Sequence, residues 1–134
     1  MENLAIILRS LQLAAHSYHN LIKGESFFAD HSFLGDLYGA YESAYDSVIE
    51  RMIGTKGLHP AELLDIQKKA VDLLKTVAPI DVPKNIFETL LEGEKRICFH
   101  CAQINGSLGT MNLVAQLADD SEVRIYKMQQ RLSK

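Results

Sequence analysis

Apolar residues spaced three and four apart, interrupted by only three prolines, govern what this chain can fold into. From Leu4 to about Ile22 the positions Leu4, Ile7, Leu8, Leu11, Ala14, Ala15, Tyr18 and Ile22 share one helical face, and Gly24 ends that helix. Asp30 or Ser32 is placed to cap a second helix that runs to about Ile53 and stops at Gly54, with Gly57 and Pro60 marking a loop. The run AELLDIQKKAVDLLKTV, Ala61 to Val77, predicts a third helix closed by Ala78 and Pro79. Pro83 suits the opening of a fourth over about Lys84 to Ile104. Asn105-Gly106 then breaks the chain before a fifth over about Leu108 to Leu132.

No segment alternates with period two for long enough to make a strand. Four long helices, with a short extra one in the connection between the second and third bundle helices, predict an all-α four-helix bundle. The 134 residues fit one domain, residues 1–134. With 47% hydrophobic and 23% charged residues the chain can bury a core, so disorder is excluded. A net charge of −3 and a pI near 5.9 argue against a surface built throughout for nucleic acid. The N-terminal apolar run LAIIL has no small-residue cleavage site after it, and no window reaches the ~18 apolar residues of a membrane helix. Two cysteines, Cys98 and Cys101, are too few for a disulfide scaffold and fit a reducing compartment. The expected location is the cytoplasm, with no membrane partner.

The second helix carries the most unusual pattern. Measured from His31 at 100° per residue, Gly35, Gly39, Glu42, Asp46 and Glu50 all fall within an arc of about 100°. A histidine, three carboxylates and two glycines make neither an apolar stripe nor an ordinary solvated face. Each glycine costs about 1 kcal/mol against alanine inside a helix. Together with Ser43 they offer small residues where a second helix could approach closely.

Asp46 and Glu50 are one turn apart and can reach a metal from the same side. His31 lies about 22 Å from Asp46 along the same helix, too far to join them within one chain. An antiparallel copy related by a twofold axis removes the difficulty and creates two equivalent shared sites. The stretch HNLIKGESFFADH sets His19 in the last turns of helix one and His31 at the start of helix two, so the turn folds both imidazoles toward the same end of the hairpin. Two nitrogens and two carboxylates suit iron, zinc or cobalt better than magnesium or calcium. The competing reading makes each histidine a hydrogen-bonded surface residue and the two acids part of a solvated face.

The segment HNLIKGESFFADHSFLGDLYGAYESAYDSVIERMIG resembles the signature of the Dps mini-ferritins, members of the ferritin-like superfamily. In that signature a histidine precedes a basic residue, a glycine turn and a phenylalanine; a second histidine opens helix two and D-x-x-x-E-R closes it. The resemblance covers residues 4 to 54. Near the end, GSLGTMNLVAQLADDSEVRIYKMQQRL resembles the family's final helix, with Gly106 or Ser107 in place of an acid and Thr110 kept. It implies a ferritin-like bundle in a dodecamer built from twofold dimers. Fe(II) would be oxidised there, preferably by hydrogen peroxide, at a ferroxidase site, and stored as ferric mineral, which protects against oxidative damage. His19 and His31 would come from one subunit and Asp46 and Glu50 from its mate, with zinc as an alternative occupant.

Several positions depart from the family. Asn20 stands where a tryptophan is usual, so any radical-quenching role passes to Tyr18, Tyr38, Tyr41 or Tyr45 or is lost. Gly35 stands where some members carry an aspartate, which bears on a second iron position. A lysine-rich N-terminal tail is missing and the C-terminal RLSK is short, so at most weak DNA binding is expected. The alternative function is a non-catalytic shell or scaffold, associating with DNA or holding structural metal only.

Three further clusters remain. Cys98, His100 and Cys101 lack a second ligand pair with zinc spacing and read as buried thiols or a peroxide-sensitive pair. Glu88, Glu92, Glu94 and Lys95 raise a site within one bundle, but the Glu-x-x-His motif of such sites is absent. Asp119, Asp120 and Glu122 read as a solvated run or as acids lining an entry pore that concentrates Fe(II).

Overall fold

The computed structural model describes residues 1–77 and 86–133, and every regular element among them is an α-helix. They are α1 (Glu2–Leu21), α2 (Phe27–Lys56), α3 (Pro60–Val77), α4 (Ile86–Gln103) and α5 (Leu108–Leu132). None of the described helices is long and apolar enough to cross a membrane. Ala78, Pro79, Pro83 and Lys84, expected to punctuate the chain between α3 and α4, lie outside the described residues.

Two boundaries differ from the sequence reading. α2 begins at Phe27, with Ser26 at the capping position, where its carbonyl accepts the Asp30 N–H at 2.9 Å. Asp30 is not a cap, because its buried carboxylate is taken by Arg131 of α5, at 3.1 Å from Nε and 2.9 Å from Nη2. At the other end the helix passes through Gly54. It stops at Gly57, whose φ of 72° breaks the helical path while its N–H still reaches the Ile53 carbonyl at 2.9 Å. The connecting helix α3, expected to be short, has 18 residues, as many as α4.

Side-chain contacts define how the helices run. His19 meets His31, His16 meets Tyr38 and Arg9 lies over Tyr45, so α1 and α2 are antiparallel. Asp30 pairs with Arg131, the Tyr41 ring lies under Arg124 and Arg51 reaches Gly109, so α2 and α5 are antiparallel as well. α1 packs against α4, with Leu11 at Gly93 and Tyr18 at Thr89, and α4 packs against α5. These four helices close a ring in the order α1, α2, α5, α4. Both α2 and α4 oppose α1, so the chain must return along the bundle between them. α3 lies on α1 in that return, burying Ile66, Ala70 and Leu74 and tying Lys69 to Glu2 at 3.2 Å.

The core is filled by Leu4, Leu8, Tyr18, Leu34, Tyr41, Met52, Leu90, Ile97 and Met128, all buried. A fully buried aliphatic side chain of this kind contributes about 1.5–3 kcal/mol through removal from water. Gly93 marks the tightest approach, since a Cβ there would overlap the side chain of Leu11. At the start of α5, Ser107 accepts the Thr110 N–H at 3.2 Å and caps the helix.

Candidate metal site on the first helical hairpin

His19 and His31 face each other across the turn between α1 and α2, rings stacked with centroids 3.7 Å apart. Nδ1 of His19 lies 2.8 Å from the main-chain carbonyl of His31, and Nδ1 of His31 lies 2.9 Å from the carbonyl of His19. A carbonyl oxygen only accepts, so each Nδ1 carries the proton and donates. In the neutral ring that leaves both Nε2 atoms with a free lone pair, the state a metal-ligating histidine needs, with the second nitrogen held by a main-chain acceptor.

The surroundings fix these rings further. Phe27 stacks on His31 at 4.8 Å, and Tyr38 stands edge-on to His19 at 5.4 Å while stacking on exposed His16 at 4.1 Å. Of the four tyrosines considered from sequence, Tyr38 is beside the imidazoles; Tyr18, Tyr41 and Tyr45 are buried. Gly35 is where α1 approaches α2 closely, since a Cβ there would lie 3.2 Å from Cε1 and 3.4 Å from Nδ1 of His19. Gly39 has nothing within 4 Å of that position.

Glu42, Asp46 and Glu50 are exposed on α2. Glu50 also borders a surface depression of about 480 Å³ lined by Ser47, Arg51, Gly54, Thr55 and Leu113. Within one chain the acids do not meet the imidazoles, and among the described residues no group of three or more His, Cys, Asp or Glu could hold a metal ion. The described residues of one chain therefore do not by themselves bring the two imidazoles and the two carboxylates together.

Glu94, considered from sequence only as part of a site within one bundle, centres a polar cluster in the bundle core whose other members sequence reasoning did not connect to it. Glu94 is fully buried, and its carboxyl group receives Tyr41 Oη at 2.5 Å, Ser121 Oγ at 2.5 Å and Arg124 Nε at 2.6 Å. Cys98 Sγ reaches Ser121 Oγ at 3.5 Å. Burial first, then the adjacent Glu94, pushes the Tyr41 phenol well above its ordinary value. Burial opposes charge on Arg124, yet Glu94 holds its pKa above the ordinary value. With every acceptor of Glu94 engaged by protein donors, this cluster binds α2, α4 and α5 together. Glu88 and Glu92 are exposed, and Glu92 pairs with Lys95 at 3.0 Å.

Asp119, Asp120 and Glu122 are exposed on α5. Asp120 accepts from Gln116 Nε2 at 2.9 Å and lines a groove with Asp36, Arg124 and Lys127. Cys98 is half-buried and Cys101 buried; burial and then Cys98 push the Cys101 thiol up to about 11. Burial, with Arg96 nearby, lowers the pKa of His100. Comparison of the chain with models of protein families, with curated proteins and with solved structures found no match.

Proposed function

We propose that this chain is the subunit of a Dps-like mini-ferritin that binds Fe(II) at sites shared between twofold-related copies and oxidises it, preferably with hydrogen peroxide. The observation that carries the reading is the reciprocal bonding of His19 and His31, which puts the proton of each ring on Nδ1 and leaves two stacked imidazoles with unprotonated Nε2 atoms. Asp46 and Glu50, exposed one turn apart on α2, supply two carboxylates in the register that an antiparallel copy requires. A four-helix ring with one long crossover is also a topology that ferritin-like folds use.

In this reading the imidazoles bind and orient the ferrous substrate and the carboxylates of the mate neutralise its charge. The Nδ1 bonds keep the ligands in one tautomer through the cycle. Two ferrous ions give one electron each to a peroxide, which takes up two protons and leaves as two waters. Ferric product would move into the cavity of a dodecameric shell. The exposed acids of α5, Asp119 and Glu122 among them, would serve an entry pore.

The test is anaerobic loading of the purified protein with Fe(II), followed by peroxide, while ferric absorbance is recorded beside a His31→Ala, Asp46→Ala variant. Saturable binding and rapid oxidation that vanish in the variant support the ferroxidase. Equal slow oxidation in both proteins favours a non-catalytic shell, and salt-sensitive DNA retention without oxidation would give that shell a DNA-associating role.

A further inference from the structure

We infer that Gly35 is a positioning residue for the imidazole pair: its missing side chain is the space in which the His19 ring lies when Nδ1 reaches the His31 carbonyl. The metal-binding part of this inference rests on the function proposed above; the seating of His19 does not.

Gly35 sits one turn after His31 on α2, in mid-helix, where a glycine costs about 1 kcal/mol against alanine. No positive φ calls for glycine there. What the position shows instead is a close approach. A Cβ would stand 3.2 Å from Cε1 of His19, tighter than ordinary van der Waals contact, and 3.4 Å from the neighbouring Nδ1, which must keep its hydrogen bond. The ring has little freedom to yield. The His31 ring stacks on it at 3.7 Å, Tyr38 stands against it, and the 2.8 Å bond to the His31 carbonyl fixes its edge.

Helix propensity alone says that Gly35→Ala strengthens α2. The geometry says that the same methyl pushes His19 off the carbonyl and frees its tautomer. Gly54, also inside α2 and with nothing within 4 Å of a Cβ, separates the two effects.

The experiment records imidazole nitrogen–proton correlations by NMR on the metal-free protein near pH 8, which report the tautomer of each ring directly, and then titrates Co(II) by its visible absorption. Wild type is expected to show both His19 and His31 protonated at Nδ1. Gly35→Ala should lose the Nδ1–H signature of His19 and bind Co(II) at least tenfold more weakly, while helix content by circular dichroism is kept. Gly54→Ala should leave tautomers and affinity as in wild type. A Gly35→Ala protein that keeps the Nδ1–H form of His19 and binds Co(II) within twofold of wild type would overturn the inference. If wild type binds no Co(II), the metal reading fails, while the tautomer comparison still decides whether Gly35 seats His19.

Discussion

His19 and His31 each hold the main chain of the other, not its side chain: two Nδ1 donors 2.8 and 2.9 Å from two carbonyl oxygens, with the rings stacked between them. The His19 carbonyl belongs to the last turn of α1, where helical acceptors run out, so the His31 imidazole closes that helix end. His31→Ala should therefore cost stability, about 1 kcal/mol, by leaving that carbonyl without its donor. His19 keeps its own acceptor in the same variant. Urea unfolding checks the magnitude, and no loss would mean that water replaces the imidazole freely.

A site shared between copies makes a sharper prediction. His31→Ala and Asp46→Ala proteins should each fail to oxidise Fe(II). Unfolded together and refolded as a mixture, they should regain activity, because a mixed pair holds one intact site beside one that has lost both ligands. Were all ligands contributed by a single chain, mixing would restore nothing.

Glu94 is buried with Arg124, Tyr41 and Ser121 directed at it. Glu94→Ala should destabilise the fold by about 3–5 kcal/mol, since it strands the guanidinium in a nearly closed environment. The double variant Glu94→Leu, Arg124→Leu should lose less than Glu94→Ala alone, because no unpaired charge remains. Denaturant melts of the two proteins decide the order.

Where α1 meets α4, Gly93 and Leu11 leave no room for a methyl group. Gly93→Ala should cost about 1–3 kcal/mol through overpacking. Combining it with Leu11→Ala should give a loss clearly smaller than the two single losses added, since the cavity made by one takes up the volume of the other. Strict additivity in thermal melts would contradict the contact.

The two cysteines should behave differently. At pH 8 an alkylating reagent should modify half-buried Cys98 and spare Cys101, whose thiol is held up to about 11, until the protein is unfolded. A folded pKa above the ordinary 9.0 means that the folded state holds the proton more tightly. The stabilisation is present below pH 9 and is lost as pH rises toward 11. The fall in stability over that range should shrink in Cys101→Ala.

Periodicity located α1, α3 and α5 to within a few residues because their buried faces repeat at three and four over many turns. It misplaced the start of α2 because Asp30 has the composition of a cap, while its actual partner, Arg131, is a hundred residues away in sequence. Glu94 was legible as a candidate ligand, but its place in the core was hidden for a related reason. It stands in EGEKR among charged neighbours, and only the approach of α2 and α5 turns it into a core residue. The meeting of His19 with His31 could be read from the short turn between them. The reason for Gly35 could not, because nothing in a sequence says that the ring of a histidine on another helix lies over that position.

Asp30 and His31 are consecutive residues with opposite duties: one grips the final turn of α5 and the other grips the end of α1. A single peptide unit thus couples three helix ends. Tension applied to the last turn of α5 reaches the imidazoles with no intervening flexible segment, so the hairpin end of the bundle behaves as a rivet and not as a hinge.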